Sequence, residues 1–453
     1  MTTAASLPPV PEPSAPAPSA PQPGPSAPEP AAWGLARRIA FRFAFAYLLI
    51  YSFPYPVSAI GEVEFLTQAV EGGWERVVPW VGKHVLGMEQ DITVFTNGSG
   101  DTTFNYVLLL VQLGLAAAVA AIWSGVDRRR TQYVKAYDLL RVYVRYVVGL
   151  AMVSYGFAKV FKTQFPFPSP ERLVQPLGEF SPMGLLWTFM GYSPGYNLFT
   201  GGAEVLGGVL LLFRRTTTLG ALVVIGVMVN VVALNFFYDV PVKLYSSHLV
   251  LMAVFLLLPD LRRLLDVLLF NRPTAPVEQR TPFLLSRRET WGVLALKALF
   301  LGVVGWSYVE MRTGYVAKYG DSAPKPPLHG LYEVESFIRD GQVLPALLGD
   351  TTRWRYVGIN RYSRASVRLM DDTVKRFSLE QDAAKGTVTL TEGRGEQAKK
   401  SVLSASRPDA EHWVLQGPFQ DGTVEIRLKR VDESKHLLIN RGFNWIQEMP
   451  FNR

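Results

Sequence analysis

Gly201-Gly202-Ala203-Glu204-Val205-Leu206-Gly207-Gly208-Val209-Leu210-Leu211-Leu212-Phe213 is an apolar run holding one carboxylate, followed at once by Arg214-Arg215. At helical spacing Gly201, Glu204 and Gly208 share one stripe, and Ala203 with Gly207 forms a small-xxx-small pair. Small residues let a second helix approach closely, so the stripe predicts a contact that buries Glu204 between helices rather than in lipid. A buried carboxylate needs a cation or must take up a proton. Lys159, late in the preceding apolar segment in Tyr155-Gly156-Phe157-Ala158-Lys159-Val160-Phe161, is the expected partner. Two roles fit this pattern: an ion pair that orders a bundle, or a site that binds substrate or relays protons.

Outward from this stretch the chain repeats the same kind of segment. Seven apolar segments, near 35–55, 104–124, 138–160, 197–213, 219–237, 247–268 and 291–310, approach the roughly 20 residues that cross hydrocarbon. The third carries Arg141 and Arg145 in its first turns, and the fourth is short. The 453 residues are 49% hydrophobic and 19% charged, with a mean hydropathy of +0.14, which fits a membrane protein with polar ends. Arg37, Arg38 and Arg42, then Arg128–Arg130 with Lys135, Arg214-Arg215, and Arg262, Arg263, Arg272, Arg280, Arg287 and Arg288 fall in alternate loops. The positive-inside rule therefore predicts a multi-pass protein of the bacterial plasma membrane, its N-terminus cytoplasmic and its C-terminal domain periplasmic or extracellular. The net charge of +8 is distributed as this punctuation, so no nucleic-acid partner is expected. Membrane lipid is.

The polar residues at membrane depth gather toward the outer side. Besides Lys159 and Glu204, Asn235 and Asp239 lie four residues apart, hence on one helical face, with Lys243 and His248 just beyond. These six are the candidate binding residues. No catalytic residue is assigned, and His248 reads as a hydrogen-bonded interface residue rather than a ligand. Gln164-Phe165-Pro166-Phe167-Pro168 and Trp187–Ser193 flank the same outer pocket, either as cover for an apolar ligand such as a quinone or as an ordinary aromatic belt. In the loop 56–103, Trp74–Val81 reads either as an interfacial segment or as a helix on the bundle, and Asn97–Thr103 as a turn that starts the second span. With no cysteine and only five histidines, disulfides, Cys-ligated zinc, iron–sulfur clusters and c-type haem attachment are excluded, and no metal site or intrinsic cofactor is expected.

From Met311 onward the period changes. Pro324, Pro326 and Pro327 mark a linker, and 331–348 reads as a short helix. Period-two segments follow at Trp354–Arg361, Ser366–Met370, Val374–Leu379, Gly386–Thr391, Trp413–Leu415, Thr423–Val431 and Leu437–Ile439, with a last aromatic run at Gly442–Ile446. They predict an antiparallel β-barrel or sandwich, with Asp371 and Asp372 in a hairpin turn.

The residues 155–161, the run 203–213 and its basic turn resemble the DoxX family of four-helix bacterial membrane proteins, and Asn235–His248 resembles a segment some longer members carry between their last two helices. The resemblance covers roughly 136–268. It implies a four-helix core, a Lys–Glu pair at Lys159 and Glu204, and a role beside quinone-linked or oxidative-stress-related membrane assemblies with other membrane or redox subunits. Without redox ligands of its own, such a chain needs a bound quinone or a partner subunit. A different class stays open, a non-catalytic envelope protein that binds or moves a lipid or other small molecule, as does a scaffold that recruits partners through the proline-rich tail.

The expected organisation is a disordered Pro/Ala-rich cytoplasmic tail at 1–32, with eleven prolines and none of the order of a signal peptide. A transmembrane hairpin with an external loop follows at 33–135, then the four-helix core at 136–270. A cytoplasmic linker with the seventh helix occupies 271–311, and the β-domain 312–453.

Overall fold

In the computed structural model, residues 32–60, 63–94, 98–275, 286–393 and 395–452 are described; the proline-rich stretch, Asn97 and Arg280 lie outside them. The helices are α1 (Leu35–Ser52), α2 (Glu64–His84), α3 (Thr103–Val126), α4 (Val134–Val160), α5 (Pro170–Leu173), α6 (Pro182–Tyr192), α7 (Pro194–Leu211), α8 (Thr217–Phe237), α9 (Lys243–Leu257), α10 (Leu261–Leu268) and α11 (Arg287–Tyr319). Their starts are written in the sequence. Thr102 with Asn105 and Ser286 with Glu289 form capping boxes that open α3 and α11, and Ser193 before Pro194 caps α7. The Asp101 carboxylate accepts from the backbone amides of Lys243 and Leu244 at 2.7 and 2.9 Å, capping α9 from a different loop.

Among the described residues, five helical stretches, Thr103–Val126, Val134–Val160, Arg214–Phe237, Lys243–Leu268 and Arg287–Tyr319, are long and apolar enough to cross a membrane. The other two apolar segments are also helical, as α1 and α7, but Arg37, Arg38 and Arg42 dilute the first, and Asn197, Glu204 and the glycines the second. Of the two alternatives for Trp74–Val81, α2 packs on α3 and buries Val78, while Trp80 stays exposed.

α4 is the central helix. Its longest contact is with α7, and glycine is the reason: a Cβ on Gly208 would lie 2.5 Å from the Gly149 carbonyl oxygen, and one on Gly201 2.6 Å from that of Gly156. Gly207 on the same helix meets Val224 of α8 instead. The basic loops collect at the end of the bundle away from the β-domain, where Arg42 is buried against Tyr133, Ser124 and the Asp127 carbonyl, and Arg214 pairs with Asp138.

The C-terminal domain is a closed antiparallel barrel of eight strands: β1 (Gly330–Arg339), β3 (Trp354–Ile359), β4 (Arg364–Leu369), β5 (Val374–Asp382), β6 (Thr387–Glu392), β7 (Lys399–Ser406), β8 (His412–Phe419) and β9 (Gly422–Arg430). The two-residue β2 (Gln342–Val343) pairs with the end of β1, and β9 returns to β1 with Tyr332 opposite Arg430. Its interior is filled by Phe337, Trp354, Phe377, Phe419 and a shell of Val, Leu and Ile. That closure resolves the choice between barrel and sandwich, and it removes the open sheet edges.

Three sequence expectations in this domain are corrected. Residues 331–348 hold β1 and β2 rather than a helix, because Tyr332, Val334 and Phe337 enter the barrel core and a bulge between Val334 and Ser336 masks the alternation. Leu437–Ile439 lies in the short helix α12 (Leu437–Asn440), and Gly442–Ile446 forms no strand. β7 escaped notice because Lys399-Lys400-Ser401-Val402-Leu403-Ser404-Ala405-Ser406 offers a single large inward residue, Leu403. Asp371 and Asp372 do sit in the β4–β5 turn, Asp372 at φ +68°.

The barrel is held on the bundle by the 161–181 loop. Asp321, just past α11, pairs with Lys162 at 2.9 Å and Arg361 at 3.2 Å and accepts from the Phe167 amide. Burial works against the Asp321 carboxylate, yet the Lys162 ammonium, the Phe167 amide and Arg361 hold it below the usual carboxylate range. Glu171 packs on Gly358, and Arg368 donates to Glu179 through both guanidinium nitrogens.

Candidate functional site

The predicted polar residues do lie at the barrel end of the bundle, but they fall into four separate pairings rather than one site. Lys159 and Glu204 are buried in the α4–α7 contact, where the ammonium donates to both carboxylate oxygens at 2.8 Å. Their neighbours explain the burial: Gly156 and Gly201 bring the two backbones together beside the pair. The pair is therefore internally satisfied, and Lys159 also sits 5.5 Å from the Tyr155 ring.

Asn235 and Asp239 do not share a face. α8 ends at Phe237, Asp239 takes a left-handed conformation at φ +51°, and its exposed carboxylate pairs with Lys243 at 3.0 Å. The i, i+4 argument assumed a helix that continues; the turn through Pro241 breaks it. Asn235 stays inside and donates to Ser246 Oγ at 2.9 Å. With Lys159, Gln164, Phe165, Trp187, Met190 and Arg312 it lines a cavity of about 310 Å³, so the two aromatic segments flank a common pocket.

His248 belongs to a different and larger space. Its Nδ1 faces the Leu244 carbonyl at 2.6 Å, which can only accept, so Nδ1 carries the proton. Nε2 then accepts from the Tyr47 hydroxyl at 2.6 Å. Both ring nitrogens are committed, and the imidazole face stacks on Tyr51 with centroids 4.1 Å apart. This stack forms part of a cavity of about 820 Å³ bounded by α1, α2, α3, α4 and α9.

The larger cavity contains residues that were not singled out from sequence. Gln112, buried on α3, makes no hydrogen bond among the described residues, and neither do the hydroxyls of Tyr51, Tyr155 and Tyr245. Leu108, Leu109, Val147 and Met252 supply apolar wall, while Glu71 and Glu75, one turn apart on α2 and exposed, stand at the rim. A signal for Gln112 existed: it is the one amide in the middle of the apolar segment 104–124, where an unmet polar group is costly. The tyrosines had none, since a Tyr at a helix end reads as aromatic belt. Gly98, Tyr155 and Val242 line both cavities.

No family model matches the chain, and no solved structure matches it. A stretch of 113 residues, 25% of this chain and 71% of the relative, is 39% identical to the uncharacterized protein YwoB of Bacillus subtilis (strain 168). At that identity over more than two thirds of the relative, the chain belongs to the family of YwoB.

Proposed function

We propose that this chain is a seven-span protein of the bacterial plasma membrane with a DoxX-like core, and that its bundle binds a quinone-class molecule within a redox or oxidative-stress assembly of membrane subunits. One observation carries this reading: three phenol hydroxyls and the Gln112 amide, none of them hydrogen-bonded among the described residues, line one cavity of about 820 Å³ with apolar walls. A quinone head is flat and has two carbonyl acceptors, which suits hydroxyl and amide donors beside the Tyr51–His248 stack. An apolar tail suits Leu108, Leu109 and Met252. The carboxylates of Glu71 and Glu75 at the rim disfavour a phosphate-bearing head. With no cysteine, and with His248 engaged at both nitrogens, electrons reach the ligand from a partner subunit.

The basic loops at the end opposite the barrel support a cytoplasmic N-terminus and an extracytoplasmic barrel. The Lys159–Glu204 pair, placed where the DoxX resemblance asks for it, supports the four-helix core.

The test is extraction and mass analysis of molecules that co-purify in mild detergent. A stoichiometric quinone is expected, and Gln112→Leu with Tyr245→Phe weakens its binding by about thirtyfold, as two lost hydrogen bonds of about 1 kcal/mol each require. A phospholipid retained equally by the variant, or an empty protein, overturns the reading. Orientation is checked separately: a reporter active only outside the cytoplasm works when fused after Arg453 and fails after Arg215.

A further inference from the structure

The chain leaves the barrel at a defined place. β9 runs antiparallel to β1 with Arg430 opposite Tyr332, so the end of β9 lies at the start of β1, which is the rim fed by α11. Glu433, three residues later, accepts from the Leu331 amide and lines a cleft with Pro166, Trp187 and Arg172, all from the bundle side. Residues 435–452 therefore set out from the rim of the barrel nearest the bundle.

These residues do not look like the end of a soluble domain. Trp445 is 90% exposed and Ile446 81%, and Phe443 and Met449 are similarly bare, with Leu437 and Leu438 of α12 beside them. None of them enters the barrel core, which Trp413, Leu428 and their neighbours already fill. The cations are placed as at a membrane surface: Lys435 precedes the apolar run, and Arg441 lies within it over the Phe451 ring. Exposed Trp, Phe and Ile with interspersed Lys and Arg are the composition of a segment that lies in the bilayer interface.

We propose that Leu437–Met449 is an interfacial membrane anchor, inserted at headgroup depth in the same leaflet that surrounds the barrel end of the bundle, and that it gives the barrel a second attachment beside α11. The occupant of this apolar surface is lipid, because the segment starts level with the outer loops of helices whose own exposed faces are apolar. The inference rests on the bundle crossing a membrane and is independent of the quinone reading.

The protein has no cysteine, so single cysteines report without background. Trp445→Cys and Ile446→Cys, each carrying an environment-sensitive fluorophore, are compared in lipid nanodiscs of the full chain with Leu296→Cys on α11 and Val402→Cys on the barrel wall. Emission at 445 and 446 shifts to the blue and is quenched several-fold more by nitroxides near the headgroups than by nitroxides deep in the acyl chains. Position 296 is quenched by lipid nitroxides and 402 by aqueous iodide. Iodide quenching at 445 and 446 with 296 still lipid-quenched overturns the anchor alone, whereas no lipid quenching at 296 overturns the membrane reading beneath it. A blue shift that grows with protein concentration and ignores lipid nitroxides points to a second copy and overturns the anchor as well.

Discussion

The bundle and the barrel treat their interiors in opposite ways. The barrel closes around an apolar core of Phe337, Trp354, Phe377 and Phe419, and its buried Arg353 is met by the Leu344 and Val334 carbonyls. The bundle holds polar groups inside: some are satisfied by each other, as Lys159 with Glu204, Asn235 with Ser246 and His248 with Tyr47, while Gln112 and the hydroxyls of Tyr51, Tyr155 and Tyr245 make no hydrogen bond among the described residues. A filled apolar core contributes stability, whereas unmet donors in a cavity cost stability unless a ligand meets them. On the proposed reading the difference places binding in the bundle, and the barrel, which lines neither cavity, sits on the loops at the bundle's outer end.

The comparison breaks most readily at the buried pair. Glu204→Ala leaves the Lys159 ammonium without a counter-charge and is expected to destabilise by about 3–5 kcal/mol, while Lys159→Met with Glu204→Met together costs much less. Thermal unfolding in detergent decides it, and intact stability in single and double variants with binding lost equally in both would assign the pair to a site instead. Trp354→Ala, by contrast, empties the barrel core at a cost of about 3–5 kcal/mol and leaves quinone retention unchanged. A parallel loss of retention would show that barrel and cavity are one unit.

Smaller effects sharpen the same contrast. Gly208→Ala places a Cβ against the Gly149 carbonyl, and the α4–α7 contact loosens by about 1–3 kcal/mol in the same unfolding assay. Acid acts on the barrel through His329, whose imidazole is pushed down to about 4 by burial and by the nearby charges of Lys325, Arg361 and Arg430. The unfolded chain takes up that proton near pH 6.5 and the folded one only near 4, so the stability present above about 6.5 is lost as pH falls through this window. His329→Asn flattens that slope in a pH series of barrel unfolding, with no change above neutrality. Least of all, Glu179→Gln removes an exposed, solvent-screened partner of Arg368 and leaves barrel stability almost unchanged in the same unfolding assay.

Much of the bundle was legible because its signals are local. A helical stripe of Gly201, Glu204 and Gly208 specifies a close contact, and a carboxylate in that contact specifies a cation at the same depth, which is why Lys159 could be named. The barrel was legible where alternation is clean, as in Thr423–Val431, and illegible where a bulge interrupts it in β1 or where small and polar residues carry it in β7. Asp239 shows the opposite failure: its spacing from Asn235 was right for a helix, and the helix had already ended.

By itself, then, the sequence determined the apolar segments, their basic punctuation, the Lys159–Glu204 pairing and the change to a β-domain after the proline linker, because periodicity, charge and glycine spacing act between neighbours along the chain. Tertiary structure alone decided that His248 and Lys159 face different cavities and that β9 closes on β1. It also decided that Gln112 lines one cavity with Tyr51, Tyr155 and Tyr245. Each of these depends on which helix faces or strand edges meet across long separations in the chain, and that is fixed by packing and closure rather than by any local pattern.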